Sequence, residues 1–329
     1  MTVPGLALDK AKCLVTGATG FLGHHIAQRL LAEGAAVRAT LHDTPRRVHD
    51  SRIEYVSADL RRPEDCAAVM AGVDYVFMAA ANTQGAAVIR ETPLAHITPN
   101  VAMNTFCLEA AHRAGVKRFV FISTGAAYPD TGHRPVEEHE MFDGDPSDVY
   151  FAAGWMKRYA EVLCRTYATK IANPMSCVVV RPSNVYGPGD KFDPKTSHVT
   201  ASIIRRVAER EDPLAMWGTG EDIRDLIYID DFVDGLMAAF RHAAPYFEVN
   251  ICSGHGVSVR EVLAAALEVD GYRDAAVIFD PTKPSTVPVR LLSNALAKRQ
   301  LGFEAKIGLP EGLARSFAWY RSAFPASVS

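Results

Sequence analysis

Three evenly spaced glycines mark the first place where this chain could do chemistry: Val15-Thr16-Gly17-Ala18-Thr19-Gly20-Phe21-Leu22-Gly23. A short apolar run precedes them and an amphipathic run from Phe21 to Ala32 follows, so the order is strand, glycine turn, helix. In that setting Gly17 permits a tight turn and Gly20 lets the backbone approach a pyrophosphate. Gly23 clears the crossing of helix and strand. The amides of the new helix N-terminus, with the helix dipole behind them, then face the phosphates. The spacing is G-x-x-G-x-x-G rather than the commoner G-x-G-x-x-G. It predicts a dinucleotide site built from Gly17, Thr19, Gly20, Phe21, Leu22 and Gly23.

The elements that must position such a site read as repeated βαβ units. Beyond the first strand, the pattern predicts strands at 35–41, 53–56, 74–78, 118–123 and 177–181. Helices are expected at 63–71, 98–115 and 147–167, the second with Thr98 as N-cap, Pro99 at the first helical position and Gly115 past its end. The fold class is therefore α/β, a doubly wound (Rossmann) parallel sheet with ligands at the C-terminal strand ends. After Arg181, the residues Pro182, Gly187, Pro188, Gly189 and Pro194 mark a long ordered loop. Helices at 199–209, 230–243 and 309–324 and strands at 214–217 and 225–228 come after it. Residues 1–181 are expected to bind the cofactor, and 182–329 to form a smaller α/β substrate lobe with an interleaved boundary.

Composition narrows the partners. With 329 residues and a net charge of −3, the chain has room for a large core and shows no basic stripe, which argues against nucleic acid and membrane surfaces. No apolar run is long enough to span a bilayer, and residues 1–12 lack a signal-peptide core. Cysteines 13, 66, 107, 164, 177 and 252 stand singly in apolar segments, so reduced, buried thiols, a cytoplasmic setting and no metal site are expected.

Further motifs join the glycine turn: Val56-Ser57-Ala58-Asp59-Leu60, Ala79-Ala80-Ala81 and Ser123-Thr124-Gly125-Ala126-Ala127-Tyr128. Arg181-Pro182-Ser183-Asn184-Val185-Tyr186-Gly187-Pro188 and Trp217-Gly218-Thr219-Gly220 follow, then Arg224-Asp225 and Asp230-Asp231. Together they resemble the extended short-chain dehydrogenase/reductase family, in its nucleotide-sugar epimerase, dehydratase and reductase branch, over nearly the whole chain. The run from Lys191 to Val199 and the later Ile204-Arg205-Arg206 are most similar to the GDP-fucose synthases of that branch. The resemblance implies an NAD(P) cofactor and a nucleoside diphosphate sugar. It implies Asp59 and Leu60 at the adenine, and Ala79, Ala80 and Ala81 along the cofactor. Ser123 and Arg181 would lie beside it, with Asn100 as support. Arg206 and Arg224 would grip the diphosphate, a role suited to the bidentate guanidinium fork. Trp217 would pack near the nucleoside, with Asn184 and Lys283 as further contacts. A homodimer through 147–167 and 98–115 is also implied.

The family's chemistry uses a tyrosine one helical turn before a lysine. There the ammonium and the nicotinamide charge lower the phenol pKa, so that it exchanges a proton with a sugar hydroxyl. In Tyr150-Phe151-Ala152-Ala153-Gly154-Trp155-Met156-Lys157 the resemblance makes Lys157 that lysine and puts Ala153 in the tyrosine's place. Thr124 is kept. Ala126 replaces a cysteine of the fucose-synthase branch, whose partner histidine is matched by His198. Proton transfer is then expected from Tyr150, from His198, from a water held by Thr124 and Lys157, or from the substrate. Three classes follow: a redox enzyme on a nucleotide sugar, an epimerase or dehydratase using transient oxidation, or a binding protein with little turnover. An enzyme is the reading adopted. Leu41 stands where NAD-specific relatives carry an acid, with Asp43 two beyond. His42, Arg46 and Arg47 are the candidates for a 2′-phosphate, which favours NADP over NAD.

Overall fold

The computed structural model describes residues 6–42, 50–82, 92, 94–194, 196–283 and 287–325. Its chain begins with β1 (Lys12–Thr16), α1 (Phe21–Ala32), β2 (Ala36–Leu41), β3 (Ile53–Ser57), α2 (Pro63–Met70) and β4 (Tyr75–Met78). Then come α3 (Leu94–Arg113), β5 (Arg118–Ile122), α4 (Phe151–Thr169) and β6 (Ser176–Pro182). A seventh strand, β10 (Tyr246–Ile251), is supplied from far along the chain and pairs with β6. The sheet order is β10-β6-β5-β4-β1-β2-β3, and every pairing is parallel. The order reverses between β1 and β4, which is where a doubly wound sheet opens a crevice.

Both faces of the sheet are covered, so its strands are continuous apolar runs whose alternate side chains enter two different cores. On one side Val15, Phe77, Val120 and Val178 pack with Ile26 and Leu30 of α1 and with Phe240. On the other, Leu14, Val76, Phe119 and Val179 pack with Cys66, Leu108, Ala160 and Cys164 of α2, α3 and α4. All six cysteines are buried and reduced.

After β6 the chain builds a second layer: β7 (Asn184–Tyr186), α5 (Val199–Ala208), β8 (Leu214–Trp217), β9 (Ile223–Tyr228) and α6 (Ile229–Arg241). Beyond β10 follow β11 (Gly256–Ser258), α7 (Val259–Asp270), β12 (Val277–Asp280), β13 (Val289–Arg290), α8 (Ala295–Leu301) and α9 (Leu309–Ala323). Here β9 is the hub, pairing with β7, β11 and β13, while β8 pairs with β12. Two aspartates of the sequence motifs hold this layer together. Asp225 accepts from the Ser253 and Gly254 amides, and Asp231 accepts from those of Lys306 and Ile307.

Two helix starts differ from expectation. α3 begins at Leu94 rather than after Thr98, so Pro99 lies inside it. A proline there leaves the carbonyl four residues back without its helical donor. The Asn82 side-chain amide supplies one instead, donating to the Ala95 carbonyl at 3.0 Å. The long helix expected from 147 is broken: 148–150 form a 3-10 turn, and α4 starts at Phe151 with Tyr150 as its N-cap residue.

Beneath the sheet's C-terminal end lies a buried charge pair. Arg181 and Glu161 are 0% and 1% exposed and approach to 2.6 Å. Arg181 also donates to the Tyr128 hydroxyl and the Glu138 carbonyl, and Ser123 donates to Glu161. Removing one member of such a pair leaves an uncompensated buried charge, which costs about 3–5 kcal/mol. Glu161→Gln is therefore expected to lower unfolding stability by about that much in urea titrations, and a loss under about 1 kcal/mol would contradict this account.

Candidate active site

The site is assembled where β1, β4 and β5 end. Gly17 has φ +64°, and a Cβ there would lie 2.7 Å from the Ala80 Cα. A side chain on Gly23 would run into the Gly17 carbonyl. The turn is held by the Thr40 hydroxyl, which accepts from the Gly17 amide at 3.1 Å, and by Thr16, which accepts from the Ala80 amide at 3.1 Å. Gly20 is the N-cap residue of α1 and has no side chain with which to cap it. The first-turn amides therefore face the crevice without a side-chain acceptor of their own cap, an arrangement that fits a pyrophosphate. Thr19 is buried, while Phe21 and Leu22 are half-buried beside the turn. Ala79, Ala80 and Ala81 form the opposite lip after β4. Asn100, buried on α3, fixes that lip by bonding both the amide and the carbonyl of Asn82 at 2.9 Å.

Beyond β3, Leu60 is buried and Asp59 is bridged by Nε and Nη2 of Arg61, each at 2.7 Å. That contact holds the Asp59 carboxyl down to about 2. His42 lies 4.0 Å from the same carboxylate. Arg46 and Arg47 fall outside the described residues.

At the other end, Lys157 projects from α4 and donates to the Ile122 carbonyl at 2.8 Å, above the Phe121 ring. Gly154 makes this possible, because a Cβ there would sit 2.5 Å from Pro146 and 3.3 Å from Ala127. α4 thus presses directly on the turn that carries Thr124. Desolvation brings the Lys157 ammonium down to about 8. Thr124 is half-buried, and its hydroxyl oxygen accepts from the Ala126 amide at 3.1 Å. Ala153, one turn before Lys157, is half-buried.

Two residues assigned to the cofactor point elsewhere. The Arg181 guanidinium and the Ser123 hydroxyl are spent on Glu161 inside the protein, so neither side chain lines the crevice. The strand is buried on both faces, so alternation along it did not reveal which way each side chain turns.

In the second layer, the structure adds a residue that the sequence reading missed. β13 runs parallel to β9 with Arg290 in register with Arg224. Arg224 is buried and holds the Ile223 carbonyl at 2.8 Å, while burial and then the Arg290 charge lower its pKa. The Arg290 guanidinium lies over the Tyr150 ring, 4.5 Å from its centroid. A small crevice joins Arg290 and Val289 to Gly125 and Ala126 of the Thr124 turn. Tyr150 is thus packed against the arginine pair, ahead of the α-helix that carries Lys157. The β-prone run Val287-Pro288-Val289 ending in an arginine was the available signal for Arg290.

A second group gathers at β8. Arg206 is paired with Glu211 at 2.6 Å and touches the Met216 sulfur, next to Trp217. Trp217 is 63% exposed, in register with Asp280, and Lys283 follows in the turn after β12. Asn184 opens β7 beside Leu226. His198 is the N-cap residue of α5, and desolvation followed by the Lys191 charge lowers its imidazole pKa.

The model of the NAD dependent epimerase/dehydratase family matches residues 13–252. The chain belongs to that family. It is 28% identical over 324 residues to a probable GDP-L-fucose synthase of Oryza sativa, covering 96% of this chain and 93% of the relative. It is 30% identical over 325 residues to a GDP-mannose 3,5-epimerase of the same plant, covering 95% of this chain and 82% of the relative. Among solved structures, the UDP-glucose 4-epimerase of Thermotoga maritima with UDP-glucose superposes with a TM-score of 0.85 at 26% identity, covering 95% and 99% of the two chains. Among the described residues no helix is long and apolar enough to cross a membrane, and no group of His, Cys, Asp and Glu could hold a metal ion.

The Lys157 shift is directly measurable. Its folded pKa lies below the unfolded value, so between about 8 and 10.5 the unfolded chain holds the extra proton and stability rises with pH. The Lys157 Cε resonance is expected to titrate near 8, and a midpoint above 10 would contradict the buried placement of its ammonium.

Proposed function

We propose that this family member is an NAD(P)-dependent enzyme acting by hydride transfer at a sugar carbon of a nucleoside diphosphate sugar, without the usual tyrosine. What supports the reading is the glycine turn and Lys157 at the C-terminal ends of strands of one parallel sheet, with Arg290 in register with Arg224 and joined by a small crevice to Gly125 and Ala126 beside Thr124. Gly17, Gly20 and Gly23 with the α1 amides would hold the pyrophosphate, and Asp59 and Leu60 would border the adenine. The cofactor, when bound, supplies or accepts the hydride. Lys157 would hold the ribose hydroxyls, and Thr124 would orient the sugar hydroxyl that gains or loses a proton. Arg224 and Arg290 would take the diphosphate. Arg206, Trp217, Lys283 and Asn184 would border the remainder of the nucleotide. NADP is favoured because Leu41 stands where NAD-specific relatives carry an acid, with Arg61 and His42 beside Asp59 at the adenosine end.

Ala153 occupies the turn before Lys157, so proton exchange falls to Thr124 with water, to His198 or to the substrate itself. Tyr150 is the weaker candidate because its ring is engaged by Arg290. A binding protein with little turnover is the alternative. The test combines binding with turnover. Arg224→Met and Arg290→Met are each expected to weaken nucleotide-sugar affinity by about 1.5–3 kcal/mol in calorimetry. Ala153→Tyr is expected to raise hydride transfer by about 10²-fold. Unchanged affinity in both arginine variants would refute the site, and no turnover in either parent or Ala153→Tyr would favour the binding protein.

A homodimer is the assembly proposed for this chain. Phe151, Trp155, Tyr159 and Val162 form an exposed row along α4, each 41–48% accessible. Large apolar side chains at one-turn spacing are what a helix–helix interface needs. Sedimentation should show a dimer that Tyr159→Glu converts to monomer, and a monomeric parent at micromolar concentration would refute it.

A further inference from the structure

A cavity of about 1170 Å³ lies away from the cleft, between α1, the loop 188–194, α5 and α9. Its lining includes none of Gly17, Thr124, Lys157, Trp217, Arg224 and Arg290. One wall is aromatic. Phe192 and Trp319 are stacked with centroids 5.6 Å apart, and Tyr320 and Phe324 pack around them. Phe324 is 52% exposed, so ring surface remains open at the rim. Polar groups line the rest. Glu209 accepts from Arg205 and from the Tyr320 hydroxyl, both at 2.7 Å. The Arg205 Nε is buried with no hydrogen-bond partner among the described residues. His24, His25 and Gln28 of α1 and Asp190, Lys191 and Asp193 of the loop also line it.

The charges select the ligand. Among the described residues of the lining, two cations, Lys191 and Arg205, share the cavity with three carboxylates, Asp190, Asp193 and Glu209. A phosphate would meet the carboxylates, and a cation would meet the ammonium and guanidinium. A hydroxyl both donates and accepts, so a polyhydroxylated ligand can satisfy both kinds of group. The apolar face of its ring can lie on the aromatic wall, leaving its hydroxyls to the polar side. We propose that this cavity is a second ligand site, for a neutral saccharide, separate from the sugar-nucleotide cleft. α5 links the two: Arg205 faces this cavity, and Arg206, about 100° further round the helix, faces Met216. The loop 188–194 that lines the cavity leads to His198 at the start of the same helix.

The test uses the full chain labelled with 5-fluorotryptophan, which gives resonances for Trp155, Trp217 and Trp319. Glucose, mannose, maltose and cellobiose are titrated separately to about 50 mM. The Trp319 resonance, assigned with Trp319→Phe, is expected to shift saturably while Trp217 stays still. Arg205→Met is expected to weaken that binding at least about fivefold, with the spectrum otherwise unchanged. No shift of Trp319 with any of the four sugars would overturn the proposal. So would shifts produced only by inorganic phosphate or by guanosine. Loss of the shift in Arg224→Met would also overturn it, by placing the binding in the cleft. A Trp217 shift on adding a nucleotide sugar reports separately on the cleft.

Discussion

A guanidinium with no access to water must have its charge answered inside the protein, and at Arg181 that demand organises the neighbourhood. Its carboxylate partner Glu161 comes from α4, its phenol partner Tyr128 from the turn after β5, and its carbonyl partner from Glu138. Glu248 of β10 adds a second carboxylate at 3.2 Å. Four separate segments are thereby tied to β6 with little rotational freedom. Glu161 lies one turn beyond Lys157 on α4, so fixing Glu161 also fixes the lysine. Tyr128 lies four residues past Thr124, so the same network anchors the threonine turn. The pair contributes to position more than to net stability, since desolvation offsets much of its attraction.

Like charges meet in the second layer. Two arginines in register on neighbouring strands repel each other, and the protein places Arg224 against carbonyls and Arg290 against the Tyr150 ring. Arg224 is in addition paired with Asp222 at 3.4 Å, which offsets part of the repulsion. The 3-10 turn before α4 serves this arrangement, because it places Tyr150 outside the α-helix and beneath Arg290 rather than along the face of Lys157.

The glycine turn was legible because its requirements are local. A positive φ, a close approach to Ala80 and an uncapped helix start are consequences of residue type at adjacent positions. The parallel sheet followed from the same kind of evidence, since runs buried on both faces and separated by helical periods admit few alternatives. Element boundaries were less legible. Pro99 reads as a helix start on propensity, but the structure carries the helix through it because Asn82, distant in sequence, supplies the missing donor.

By itself the sequence determined the glycine turn, the strand-and-helix alternation, and the lysine helix with Ala153 a turn before it. All of these depend on neighbours within one or two turns of chain. Only the tertiary structure decided which charged residues face the cleft. Arg181 and Ser123 sit in the right motifs but turn inward to Glu161, because a strand buried on both sides carries no periodic signal for direction. Arg290 acquires meaning only from its register with Arg224, sixty-six residues earlier. Pairing between distant strands is settled by packing of the whole second layer around β9, and no local pattern encodes it.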